Sequence, residues 1–152
     1  MMRKIADMLK NSGNDGQRGF TLVELAIVIV IIGVLASFGV PRFRDAVERS
    51  KAGESFSYLA SVRSSQERYA ALNGTYADEL TDLDILMPSL KYFSVGEIAA
   101  GDTGDLESSW TLTLTRTGAS AGYGAYTVVY TQDGYDTENS TINDLPQINP
   151  VS

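Results

Sequence analysis

The sequence predicts an α+β fold: a long N-terminal hydrophobic helix whose C-terminal half packs on a small antiparallel sheet. Three observations carry this prediction. Phe20 to Val40 form a nearly unbroken apolar run of twenty-one residues, long enough to span a bilayer as a helix. Helical spacing continues beyond Pro41 to about Asn73-Gly74, with Ala52, Phe56, Leu59 and Val62 on one stripe. Finally, Trp110, Leu112 and Leu114 alternate with Thr111, Thr113 and Thr115, and Tyr126, Val128 and Tyr130 with Thr127, Val129 and Thr131. Period-two alternation of this kind marks strands covered on one face.

Taken in order, the chain opens with a polar, turn-rich segment that holds Arg3, Lys4, Lys10 and Arg18 against Asp7 and Asp15. A basic segment before an apolar run suggests a targeting signal. The run is too long for the core of an ordinary secretory signal peptide, and no small-residue cleavage site clearly ends it. Gly19 is the obvious small residue ahead of it, and a cut there leaves the membrane segment on the mature chain. Membrane orientation does not follow from charge, because residues 42–51 hold four basic side chains, as the leader does.

From residue 20 to 73 a helix would make a rod of roughly 80 Å at 1.5 Å per residue. Pro41 removes one backbone donor and is expected to kink or loosen it. Gly33 and Gly39 each cost about 1 kcal/mol of helix propensity relative to Ala. Gly33 to Pro41 is therefore the weakest part of the rod, either a static kink or a segment able to unwind. Beyond it, Arg44, Glu48, Lys51 and Arg63 are expected to point away from the apolar stripe. Arg42 and Arg44 suit a solvated or lipid-headgroup position better than a phosphate site.

Residues 74–108 read as a connection, with a short helical turn at Asp78–Leu83 and a third strand at Tyr92–Val95. Gly118–Gly122 reads as the hairpin loop between the two alternating strands. The tail from Gln132 onward reads as irregular, with Pro146 and Pro150 against further strand pairing.

Composition narrows the chemistry. The 152 residues contain no Cys and no His. Disulfides, thiolate metal sites and the commonest general base are excluded, and the sequence holds no catalytic constellation. Residues 70–152 carry two basic side chains against twelve acidic ones, so this head should not attract nucleic acid. Asp133, Asp136 and Glu138 cluster around Gly134 and are candidate calcium ligands, since hard cations take oxygen donors. Their spacing does not match an EF-hand loop, and a solvated acidic loop is the favoured reading.

Glu24 is the exception within the apolar run. A carboxylate at the centre of a membrane helix costs about 2.5–3.5 kcal/mol and is read as functional by default. It either pairs with a cation or sits in the first helical turn, where the helix dipole favours an anion. The string Gly19-Phe20-Thr21-Leu22-Val23-Glu24, followed by the Ile/Val run, Gly33 and Pro41, resembles the N-terminus of type IV pilins and type II secretion pseudopilins over about residues 18–50. The resemblance implies that a prepilin peptidase cuts between Gly19 and Phe20 and methylates the new Phe20 amine. It implies an assembly role for Glu24, paired with the Phe20 amine of a neighbouring subunit, and for Gly33 and Pro41. The domains are then a leader (1–19), a transmembrane and polymerisation helix (20–41) and a pilin-like head (42–152). The implied partners are further copies in a helical fibre, the peptidase and the inner-membrane assembly machinery. The implied location is the bacterial inner membrane, then a surface pilus or periplasmic pseudopilus. The alternatives are a major pseudopilin of type II secretion, or a membrane-anchored binding protein that never polymerises. No cofactor is expected beyond the calcium candidate.

Overall fold

The computed structural model describes residues 19–85, 89–120 and 122–152; most of the leader, including Arg18, lies outside them. A single helix, α1, spans Leu22–Asn73, and the chain divides into two compact units at Phe38/Gly39. In the first unit α1 is apolar on every side and every described residue is exposed. Its most apolar 18-residue window has a mean hydropathy of 2.7 and buries nothing. The helix runs on through Gly33, Gly39 and Pro41. Pro41 has no N–H to give the Ser37 carbonyl one turn back.

The second unit is the head. Its sheet comprises β1 (Phe93–Val95), β2 (Ala99–Ala100), β3 (Trp110–Arg116), β4 (Thr127–Thr131) and β5 (Gly134–Tyr135). All pairings are antiparallel, in the order β1-β3-β4-β5, and β2 adds to the same edge of β3 as β1. Gly96 makes the step from β1 to β2 feasible: a Cβ there would meet the Thr113 carbonyl oxygen at 2.9 Å.

Strand alternation on β3 is as expected, with Trp110, Leu112 and Leu114 fully buried and the threonines between them half-exposed. Opposite them, Ala52, Phe56, Leu59 and Val62 of α1 are buried in the same core. Phe56 packs on Tyr130 and Tyr135, with ring centroids 6.1 and 4.9 Å apart. The helix ends at Gly74, which takes φ +78° and donates its N–H to the Ala70 carbonyl at 2.8 Å, the left-handed stop that glycine permits. Gln66 then clasps the returning chain. Its side-chain amide donates to the Ala77 carbonyl at 2.9 Å and accepts from the Ala77 N–H at 2.8 Å.

Two expectations are corrected. Glu48 does not point outward but is fully buried, because Arg116 ends the core face of β3 and supplies a matching charge. Lys51 and Arg63 are also drawn inward: Lys51 bonds Glu48 at 3.2 Å, and Arg63 Nε donates to the Gln132 carbonyl at 2.8 Å. Nor is the tail free of strand pairing. Gly134, at φ +112°, turns the chain so that Tyr135 pairs with Tyr130 as β5, and the two prolines fall only after this pairing. The expected short helical turn within Asp78–Leu83 is present as a 3₁₀ turn at Leu80–Asp82, and a second 3₁₀ turn spans Thr141–Asp144.

Candidate processing and assembly site

The proposed cut falls just before α1. Gly19, Phe20 and Thr21 are exposed and outside the helix, so the Gly19–Phe20 peptide is free of helical hydrogen bonds. Thr21 is the N-cap: its carbonyl accepts the first helical bond from Leu25 N–H at 3.2 Å. Its hydroxyl accepts from Glu24 N–H at 3.1 Å, while Glu24 Oε2 accepts from Thr21 N–H at 2.9 Å and from the Thr21 hydroxyl at 2.8 Å. This reciprocal pattern is a capping box. Thr-x-x-Glu ahead of an apolar run is its signature in the sequence, a local cue beside the more conspicuous anomaly of the charge itself.

Glu24 therefore has a local role in the single chain. It satisfies donors of the first turn and lies where the helix dipole favours an anion. Phe20, whose α-amine the cut would create, is 78% exposed and one residue ahead of the cap. Gly33 and Pro41 lie further along the same exposed surface. An apolar surface this large needs lipid or protein over it.

The acidic tail residues are not gathered. Asp136 Oδ1 accepts from the N–H groups of Glu138 and Asn139, both at 3.0 Å, and Oδ2 accepts from the Asn139 side chain at 2.7 Å. Chiefly through that side-chain bond, the Asp136 carboxyl lies below its ordinary range. Asp133 accepts from the Gln132 amide at 3.0 Å. Among the described residues no group of three carboxylates is disposed to hold a metal ion.

A buried polar cluster that helical spacing does not reveal ties α1 to the sheet. Glu48 bonds Arg116 at 2.5 and 3.2 Å and the Tyr126 hydroxyl at 3.0 Å. Arg116 also donates to the Ala119 carbonyl at 3.0 Å and to the Thr117 carbonyl, and Tyr123 donates to Asp45. Burial alone would raise the Glu48 carboxyl. The bonds from Arg116, Lys51 and Tyr126 outweigh it and hold the group below its ordinary value. The hydrogen bond to Asp45 pushes the Tyr123 hydroxyl up to about 12.

Fold and site define a class: subunits with an apolar N-terminal helix, a methylation signal at its start and a small antiparallel head. A family model for the prokaryotic N-terminal methylation motif matches residues 14–40. Over 108 residues the chain is 36% identical to fimbrial protein EcpC of Eikenella corrodens, covering 70% of this chain and 68% of that protein. It is also 54% identical over 41 residues to type IV major fimbrial protein FimA of Dichelobacter nodosus, covering 27% of this chain and 26% of FimA. No solved structure matches. The chain belongs to the type IV pilin family.

Proposed function

We propose that this chain is a structural subunit of a type IV pilus, cut between Gly19 and Phe20 by a prepilin peptidase and N-methylated on Phe20. The observation that carries this reading is the fully exposed, apolar first half of α1, opened by a capped carboxylate. Such a helix needs a bilayer before assembly and other copies of itself afterwards. The subunit waits in the inner membrane and is then extracted by the assembly machinery into a helical surface fibre serving adhesion, motility or DNA uptake. Fibre contacts replace lipid contacts, so the transfer loses little hydrophobic stabilisation.

In the fibre, Glu24 exchanges its Thr21 bonds for the Phe20 ammonium of a neighbour. Pairing with a full charge in an apolar surround favours the correct axial register. The stretch from Gly33 to Pro41, helical in the single chain, unwinds or extends as copies pack. Strong hydrogen-exchange protection through residues 34–40 in fibres would rule that out. The names of the similar proteins favour a fimbrial subunit over a type II secretion pseudopilin.

Mass spectrometry of sheared surface fibres tests the central reading. The expected subunit begins at Phe20 and carries one extra methyl group. Fibres built from uncut chain, or cells with the cut protein and no fibres, would refute it.

A further inference from the structure

The head's helix opens on a face that none of the described residues covers. Arg42 and Arg44 are exposed, Phe43 is 70% exposed and Val47 38%. Phe43 and Val47, four apart, share one side of the helix, and the two arginines flank Phe43 on either side. The acids nearby are already engaged: Glu48 holds Arg116 and Lys51, and Asp45 holds the Tyr123 hydroxyl. Neither arginine has a salt-bridge partner among the described residues.

Elsewhere on the head, a groove of about 510 Å³ runs between the Leu80–Asp82 turn and the β1–β2 connection. Asp78, Glu79 and Glu97 stand exposed around it, Leu80 is half-buried and Ile98 buried. Among the described residues these three carboxylates have no cationic partner, and only the Thr81 hydroxyl bonds Glu79, at 3.0 Å. One patch is an aromatic ridge between two cations, and the other is a partly apolar trough with an anionic rim. They are complementary in charge and in apolar content, and they lie on different parts of the same chain.

We propose that the Arg42–Phe43–Arg44 ridge of one subunit docks in the Asp78/Glu79/Glu97 groove of a second copy. The inference rests on the fibre reading above and identifies one of its contacts. Joining two different patches makes the interface heterologous, and a heterologous contact that does not close on itself generates an open helical filament. Opposite charges on the two patches also disfavour ridge-to-ridge and groove-to-groove pairings. Anionic lipid headgroups are the rival occupant of the arginines, and charge exchange separates the two.

The full-length chain is produced with Arg42→Glu and Arg44→Glu, and then with Asp78→Lys, Glu79→Lys and Glu97→Lys added. All five side chains are exposed. The first variant is expected to lower fibre yield about tenfold or more at unchanged membrane level, and the combined variant to restore it. Because the chain contains no Cys, Phe43→Cys with Glu97→Cys gives a second readout, an oxidised ladder of linked subunits in fibres that neither single variant forms. Parent fibres that tolerate the arginine reversal would overturn this contact alone. A loss that the reversed groove fails to rescue would assign the arginines to lipid and likewise overturn it. Failure of the parent chain to form any fibre would remove the subunit reading and the contact with it.

Discussion

The two halves of α1 share one secondary structure and opposite means of covering it. Up to Phe38, the described residues of the helix are exposed and almost all are apolar. From Glu48 to Gln66 it buries a mixed set that includes Phe56, Leu59 and Val62 but also Glu48, Ser55, Ser65 and Gln66. An all-round apolar helix specifies an environment without specifying a neighbour. A buried carboxylate or amide demands one particular partner in one particular place. The first half can therefore be covered by any apolar surroundings, whereas the second is committed to its own sheet.

The sharpest break in this comparison comes at Glu24, the one charged group of the apolar half. Glu24→Gln retains a carbonyl oxygen to accept from Thr21 N–H but removes the charge. Fibre incorporation is expected to fall to background while membrane insertion is kept, as read by immunoblots of sheared and cell fractions. Normal incorporation would reduce Glu24 to a helix cap. In the head, Arg116→Met leaves the buried Glu48 charge with only Lys51 and the Tyr126 hydroxyl and is expected to cost about 3 kcal/mol in denaturant unfolding of the detergent-solubilised chain. Adding Glu48→Leu should recover most of that loss, because an apolar pair of similar size replaces a buried ion pair at little cost.

Gln66→Leu removes both bonds to Ala77 and leaves a buried N–H and carbonyl without partners, an expected loss of about 2 kcal/mol by the same measurement. Thr21→Val should cost only about 1 kcal/mol of helix-start stability, visible as faster amide exchange in the first turn. The pH response separates the halves more gently. The Glu48 carboxyl is depressed in the fold, so its contribution is complete above the ordinary glutamate value of about 4.3. It is lost as pH falls below that value and through the lower folded one. The Tyr123 hydroxyl is raised to about 12, so its contribution holds below about pH 10 and fades as pH climbs towards 12. Unfolding curves across both ranges would check each sign.

The sequence made the apolar half of α1, the Ala52–Val62 stripe and the two main strands legible because period and composition are local properties. Glu24 stood out because a carboxylate in such a run is anomalous by itself. The burial of Glu48 depends on Arg116, 68 residues away, whereas helical spacing alone places it off the apolar stripe. The same holds for Gln66, whose partner is backbone, and for β5, where a single glycine turn decides the pairing. Among the described residues, the tail carboxylates are near in sequence but are not gathered around a common point, because the path of a loop is not fixed by sequence spacing.

The tail also answers how the head closes with no Cys in the chain. Ile142 and Ile148 are fully buried, Ser140 accepts from Val129 N–H at 2.8 Å, and Thr141 accepts from Thr127 N–H at 2.7 Å. Closure of this kind requires no oxidant and no disulfide isomerase. It does not wait on thiol chemistry that takes seconds to hours, so the head reaches its final shape as soon as its sheet has formed. A reducing environment would leave its shape unchanged.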